Sequence, residues 1–111
     1  MAAKFEIKTG KSGKFSFNLK SANGQVVLSS EQYETKKAAE NGVKSVQKNA
    51  GNEKRFETST AKDGRVYFVL KASNGEVIGK SQMYKDNAGL KRGIASVQKN
   101  GPTAKAVDTT V

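Results

Sequence analysis

Two stretches of this chain, Phe5–Asn49 and Phe56–Asn100, align without a gap at a constant offset of 51, and 19 of the 45 aligned positions are identical. A tandem duplication of this strength means that one structural unit is built twice. Within each copy the clearest local signal is a hairpin. Phe15–Lys20, Ser21-Ala22-Asn23-Gly24 and Gln25–Leu28 return as Val66–Lys71, Ala72-Ser73-Asn74-Gly75 and Glu76–Ile78. An Asn-Gly pair between two runs rich in aromatic and branched residues marks a turn, because glycine takes a positive φ without strain.

The rest of each copy supports that hairpin. Phe5 and Ile7 alternate with Lys4, Glu6 and Lys8, the spacing of a half-buried strand. Phe15, Phe17 and Leu19 point one way in the second strand, and Ser16, Asn18 and Lys20 the other. Three strands joined by short turns make an antiparallel meander with one wet face. The period then lengthens: Ala39, Val43 and Val46 form one helical stripe after an N-cap at Thr35, and Leu90, Ile94 and Val97 do so after Asp86. Asn49 and Asn100, each beside a glycine or alanine, are expected to close the helices with a left-handed residue. Gly42 and Gly93 sit in mid-helix, where glycine costs roughly 0.5–1 kcal/mol relative to alanine; a close approach of helix to sheet is the expected reason.

The chain is therefore read as α+β, two tandem β-β-β-α repeats (residues 4–50 and 55–101) making one domain over 1–101 with a pseudo-twofold. Residues 102–111 lack periodicity and are expected to be a loose tail. Each repeat lies near the size limit for folding alone, roughly 40 residues without metals or disulfides, so the two are expected to share a core.

Composition narrows the chemistry. The 111 residues contain no Cys and no His, which removes thiolates, disulfides, the commonest general base and the commonest neutral metal ligand. No apolar run is long enough for a membrane span, and Met1-Ala2-Ala3-Lys4 leads directly into a strand, so the chain is expected to be cytoplasmic. Net charge is +10. Each copy carries nine basic and four acidic residues, so the charge is spread over the fold instead of gathered in an arm.

Several stretches resemble the YegP-like family of small bacterial proteins of unknown function, in its duplicated form. They are Phe5-Glu6-Ile7, Gly13-Lys14-Phe15-Ser16-Phe17, Leu19-Lys20-Ser21-Ala22-Asn23-Gly24, Ser30-Glu31-Gln32-Tyr33 and Ala38-Ala39-Glu40-Asn41-Gly42-Val43, with Ser45-Val46. The resemblance implies a β-β-β-α unit used twice and carries no assigned substrate, cofactor or catalytic residue. Copy two departs from it: Gly79 stands for Leu28, Thr58 for Ile7 and Leu90 for Ala39, so sites on the two halves would not be equivalent.

No nucleophile with a base, carboxylate pair, metal cluster or phosphate-cradling loop stands out, so the chain is read as a non-enzyme without cofactor or metal. Three candidate surfaces remain. Lys37, Lys44 and Lys48 share one face of the first helix with Asn41, and Arg92 and Lys99 hold equivalent places on the second; such a face could neutralise phosphates or merely be solvated. Lys14, Lys20, Arg65 and Lys71 flank the second strand of each copy. Tyr67 and Val69 point outward where copy one has Ser16 and Asn18, an apolar patch expected to be covered by the other half or else to meet a partner. Tyr33 and Tyr84, before the helix caps, are expected at the rim with wet hydroxyls. The chain is thus expected to be a non-catalytic binding or protein-interaction module. Its partner would be an unknown protein or a second copy, with no membrane contact and no small-molecule substrate evident. The alternative is weak, sequence-independent binding of nucleic acid through the basic helix faces.

Overall fold

The computed structural model describes residues 3–10 and 12–109. Along the chain run β1 (Lys4–Thr9), β2 (Phe15–Lys20), β3 (Val26–Ser29), α1 (Lys36–Asn49), a 3₁₀ turn (Glu53–Arg55), β4 (Phe56–Thr60), β5 (Val66–Lys71), β6 (Val77–Lys80), α2 (Asn87–Asn100) and β7 (Lys105–Asp108). The strands form one sheet ordered β4-β5-β6-β3-β2-β1-β7. Each copy contributes an antiparallel meander, as the alternating pattern predicts.

The copies join edge to edge. β3 pairs antiparallel with β6 at Ser29 opposite Lys80, which are each other's counterparts in the duplication, so the pseudo-twofold axis runs between them. Register then fixes the faces. Phe5 pairs with Leu19 and Leu19 with Leu28, while Leu70 pairs with Phe56 and Gly79, and the Ser29–Lys80 pair puts both sets on one side. Both helices cover that side. α1 packs on β1 and β2 and also reaches β5 and β6; α2 packs on β5 and also reaches β3. Phe5, Phe17, Leu19, Leu28, Phe68, Leu70, Val46 and Val97 are fully buried in a single core drawn from both copies.

Thr35 and Asp86 cap their helices, each side chain accepting the N–H three residues on, from Ala38 at 3.0 Å and Gly89 at 2.9 Å. The left-handed C-caps do not occur. Ala50 and Gly101 end the helices in right-handed conformation, and Asn49 and Asn100 turn inward to donate their amides to the Ser45 and Ser96 carbonyls at 2.8 and 2.9 Å. The reason lies where the helix ends meet: a Cβ on Gly101 would lie 2.6 Å from that of Ala50, so the two termini pack against each other. The Asn-Gly hairpins turn on glycine alone. Gly24 and Gly75 have φ of 84° and 87°, and among the described residues only glycines take a positive φ, giving a type I turn closed by a glycine bulge.

The mid-helix glycines answer to the tyrosines. Tyr33 stacks on Phe17 with centroids 6.2 Å apart, and Tyr84 on Phe68 at 6.3 Å, both pairs tilted by 9°. A Cβ on Gly42 would lie 2.6 Å from Tyr33 Oη, and one on Gly93 2.6 Å from Tyr84 Cζ. The tyrosines are thus half-buried at the edge of the core, as expected, and each packs closely against its helix glycine. Each is drawn in by an antiparallel bridge, Phe15 to Tyr33 and Val66 to Tyr84, and reaches beneath its helix where only glycine leaves room.

The segment expected to be a loose tail contains β7, which lies parallel to β1. Ala104 is buried, Gln47 Nε2 donates to its carbonyl at 2.9 Å, the Thr109 N–H donates to the Ile7 carbonyl at 2.9 Å, and Lys36 pairs with Asp108. Val107-Asp108-Thr109 sits one repeat length after Phe56-Glu57-Thr58, as the opening of a third copy would. A third first-strand would fall, by the twofold, on the place β1 already fills. It lies beside β1 instead, in the same direction, which accounts for the single parallel pairing among the described residues.

Tyr67 and Val69 are not covered by the other half. Edge-to-edge joining leaves them on the face opposite both helices, half-buried by sheet neighbours, with Lys80 Nζ 4.6 Å from the centre of the Tyr67 ring.

Candidate functional site

The four cations that flank the second strand of each copy are paired with carboxylates. Lys14 pairs with Glu34 at 3.4 Å, Lys20 with Glu6 at 3.1 Å, Arg65 with Asp63 at 2.7 Å and Lys71 with Glu57 at 2.7 Å. The hydrogen bond from Lys20 holds the Glu6 carboxyl below its ordinary value, and the backbone and side chain of Arg65 do the same for Asp63. Lys37, Lys44, Lys48, Arg92 and Lys99 are all exposed, and none has an ion-pair partner among the described residues. Because both helices lie on one face of the sheet, these five unpaired charges share one side of the molecule.

They do not form one cluster. Arg92 and Lys99 lie seven residues apart, two turns and about 10 Å along the same face of α2, and both line a cleft of about 660 Å³. The opposite wall is the β2–β3 turn of the first copy, Ser21–Gln25, and the floor includes Gln82, Tyr84 and Gly93. Lys37, Lys44 and Lys48 stand outside it on α1. The turn is held rigid: Asn23 Oδ1 accepts the Gln25 N–H at 3.1 Å and the Ser21 hydroxyl as well. Gln25 and Gln82 line the cleft, and their side-chain amides make no hydrogen bond among the described residues. Gly89 and Gly93 of α2 also line the cleft, Gly93 with the Tyr84 ring packed against it.

A second cleft, about 420 Å³, lies on the pseudo-twofold where β3 and β6 meet. Val26, Ser29, Ser30 and Glu31 line it with their counterparts Val77, Lys80, Ser81 and Gln82. Its serines are occupied: the Ser30 and Ser81 hydroxyls each accept a backbone N–H at 2.9 Å, from Phe17 and Phe68.

Reading the sequence singled out Arg92 and Lys99 but not Gln25 or Gln82. The cleft is assembled from the turn of one copy and the helix of the other, and no linear spacing records that. The signal available was the contrast with the counterparts, Glu76 and Glu31. Among the described residues no group of three or more Asp, Glu, His or Cys is placed to hold a metal ion, and no helix is long and apolar enough to cross a membrane.

A family model described as a domain of unknown function, DUF1508, matches this chain twice, over residues 11–57 and 61–108. A UPF0339 protein of Pasteurella multocida is 51% identical over 96% of this chain and 93% of its own length. The UPF0339 protein YegP of Escherichia coli is 44% identical over 99% and 100% respectively. The solution structure of E. coli yegP, titled a protein of unknown function, superposes with a TM-score of 0.93 at 44% identity, covering 99% of this chain and 95% of that one. The UPF0339 protein of Shewanella oneidensis gives 0.93 at 43% identity, covering 99% and 93%. None of these names carries an activity.

Proposed function

The chain belongs to the DUF1508 family, and from that premise we propose that it is a non-catalytic, cytoplasmic binding module that takes an anionic partner on its helix side. One observation supports this above the others. Lys14, Lys20, Arg65 and Lys71, which flank the second strands, pair with carboxylates, whereas the helix cations Lys37, Lys44, Lys48, Arg92 and Lys99 have no ion-pair partner among the described residues and lie on the helix side. Exposed charges paired in this way contribute little to attraction at a distance, whereas unpaired ones of one sign steer an oppositely charged partner.

Heparin retention in a salt gradient tests it. Replacing Arg92 and Lys99, or Lys44 and Lys48, by alanine lowers the eluting salt concentration, while replacing Lys20 and Lys71 leaves it nearly unchanged. Equal losses from both sets would defeat the proposal.

Nucleic acid is the second reading, favoured by the placement of all five cations on adjacent helices. Duplex DNA binding would then weaken with salt at a log–log slope of roughly −0.9 per phosphate neutralised, no steeper than about −4.5 for five contacts. Salt-insensitive or absent binding to DNA, beside retained affinity for an acidic protein, removes this reading and keeps the first. Tyr67 and Val69 are what a protein partner or a second copy would meet on the opposite face. A dimer abolished by Tyr67→Ser in light scattering would establish that contact.

A further inference from the structure

We infer that the cleft between α2 and the Ser21–Gln25 turn is a binding site for a small phosphate-bearing molecule, and that its pseudo-symmetric counterpart is not. The inference deepens the anionic-partner reading and rests on it. The duplication supplies an internal control, because each cleft residue has a partner one repeat away. Arg92 corresponds to Asn41, Lys99 to Lys48, Gln25 to Glu76 and Gln82 to Glu31. The α2 cleft therefore carries two cations and no carboxylate, while the equivalent positions on the α1 side carry one lysine and two glutamates. At Asn23, Ser96, Asn100 and Tyr84 the copies agree, with Asn74, Ser45, Asn49 and Tyr33 as counterparts, and Ser21-Ala22 becomes Ala72-Ser73. The two sides differ where charge is set.

Glu31 lies near enough to Tyr33, the counterpart of Tyr84, for its charge to act on the hydroxyl. It helps raise the pKa of the Tyr33 hydroxyl, with burial the larger cause, and Gln82 lines the α2 cleft with Tyr84. On the α2 side the neutral amides of Gln25 and Gln82 leave an anion unopposed and offer it N–H donors. Arg92 supplies a planar fork suited to phosphate oxygens, and Lys99 a second charge two helical turns away. At about 660 Å³ the space falls in the range of small-molecule sites, roughly 300–1,000 Å³, and exceeds what one inorganic phosphate would fill.

Backbone amide shifts of the full chain, titrated with inorganic pyrophosphate, ADP and adenosine, test the site. Pyrophosphate and ADP should saturate, with shifts centred on Gln25, Gln82, Gly89, Gly93 and Ser96, and adenosine should not. Arg92→Ala or Lys99→Ala should weaken binding about tenfold, as expected for loss of one charge-assisted contact, and Lys48→Ala should not. Gln25→Glu with Gln82→Glu, both on the surface and copied from the other half, should abolish binding while the spectrum stays folded. Shifts shared equally with Lys44 and Lys48, equal binding of adenosine, or no saturable shift with either phosphate would overturn the site. If heparin retention survives that result, the wider anionic-partner reading stands without the site; if retention fails too, both fall.

Discussion

Leu28 and Gly79 are equivalent positions of the two copies, and across the pseudo-twofold one fills the space the other vacates. A Cβ on Gly79 would lie 2.7 Å from both Cγ and Cδ2 of the fully buried Leu28. Two leucines cannot occupy the axis together. The fold resolves this by making one copy large and the other small, which a symmetric pair of identical units cannot do.

Gly79→Leu, which makes the copies alike at this position, should therefore destabilise the chain by about 1–3 kcal/mol through overpacking. Leu28→Ala alone should cost about 2–5 kcal/mol through the cavity it leaves. Combined, the two should cost less than their sum in urea unfolding, because the new leucine can enter the space the old one leaves. Strict additivity would mean that the two side chains do not compete.

Gly93→Ala sets helix propensity against packing. In an open helix the change gains about 1 kcal/mol; here the new Cβ would lie 2.6 Å from Tyr84 Cζ, so the variant should be less stable than the parent. With Tyr84→Ala in place the sign should reverse. A stabilising Gly93→Ala in the parent chain, read by thermal unfolding, would show that the tyrosine does not hold this glycine in place.

Ending the chain after Ala104 removes β7 and keeps the buried alanine. The Ile7 carbonyl loses the Thr109 N–H and hydroxyl, at 2.9 and 2.6 Å. The truncated chain should fold, with the Ile7 amide exchanging hydrogen much faster while amides between β2 and β3 keep their protection. Unchanged exchange at Ile7 would mean that β7 does not protect that edge in solution.

Glu6 gives a pH dependence whose sign is fixed. Its carboxyl is held below the ordinary 4.5, first by the hydrogen bond from Lys20. A depressed carboxylate adds stability that is complete above its unfolded value and disappears as pH falls through the folded one. The stability difference between the parent and Lys20→Met should thus be largest near neutrality and shrink below about pH 4.5. A difference constant from pH 7 to pH 2 would rule the linkage out.

Much of this fold is legible in the residues. The inward sets Phe5/Ile7, Phe17/Leu19 and Phe68/Leu70, the Asn-Gly turns, and the caps at Thr35 and Asp86 all follow from periods and local chemistry. What joins the halves is not. The β3–β6 seam rests on Ser29 opposite Lys80, a pairing no hydrophobic period announces, and from it follow the shared helix face and the uncovered side of Tyr67. The β7 strand is short and exposed throughout, so period carries no trace of it. Its only mark is that Val107-Asp108-Thr109 echoes Phe56-Glu57-Thr58. Of the candidate site, the cations were readable from helix spacing, whereas Gln25 and Gln82 acquire meaning only once the first-copy turn is seen against α2.

An axis between Ser29 and Lys80 makes this molecule a dimer that dilution cannot separate. Two unlinked units would associate only as far as their concentration allowed, whereas a continuous backbone fixes their effective concentration for good. Covalent union also frees each partner from having to match the other. One side can go on bracing the assembly while its twin drifts toward a different task.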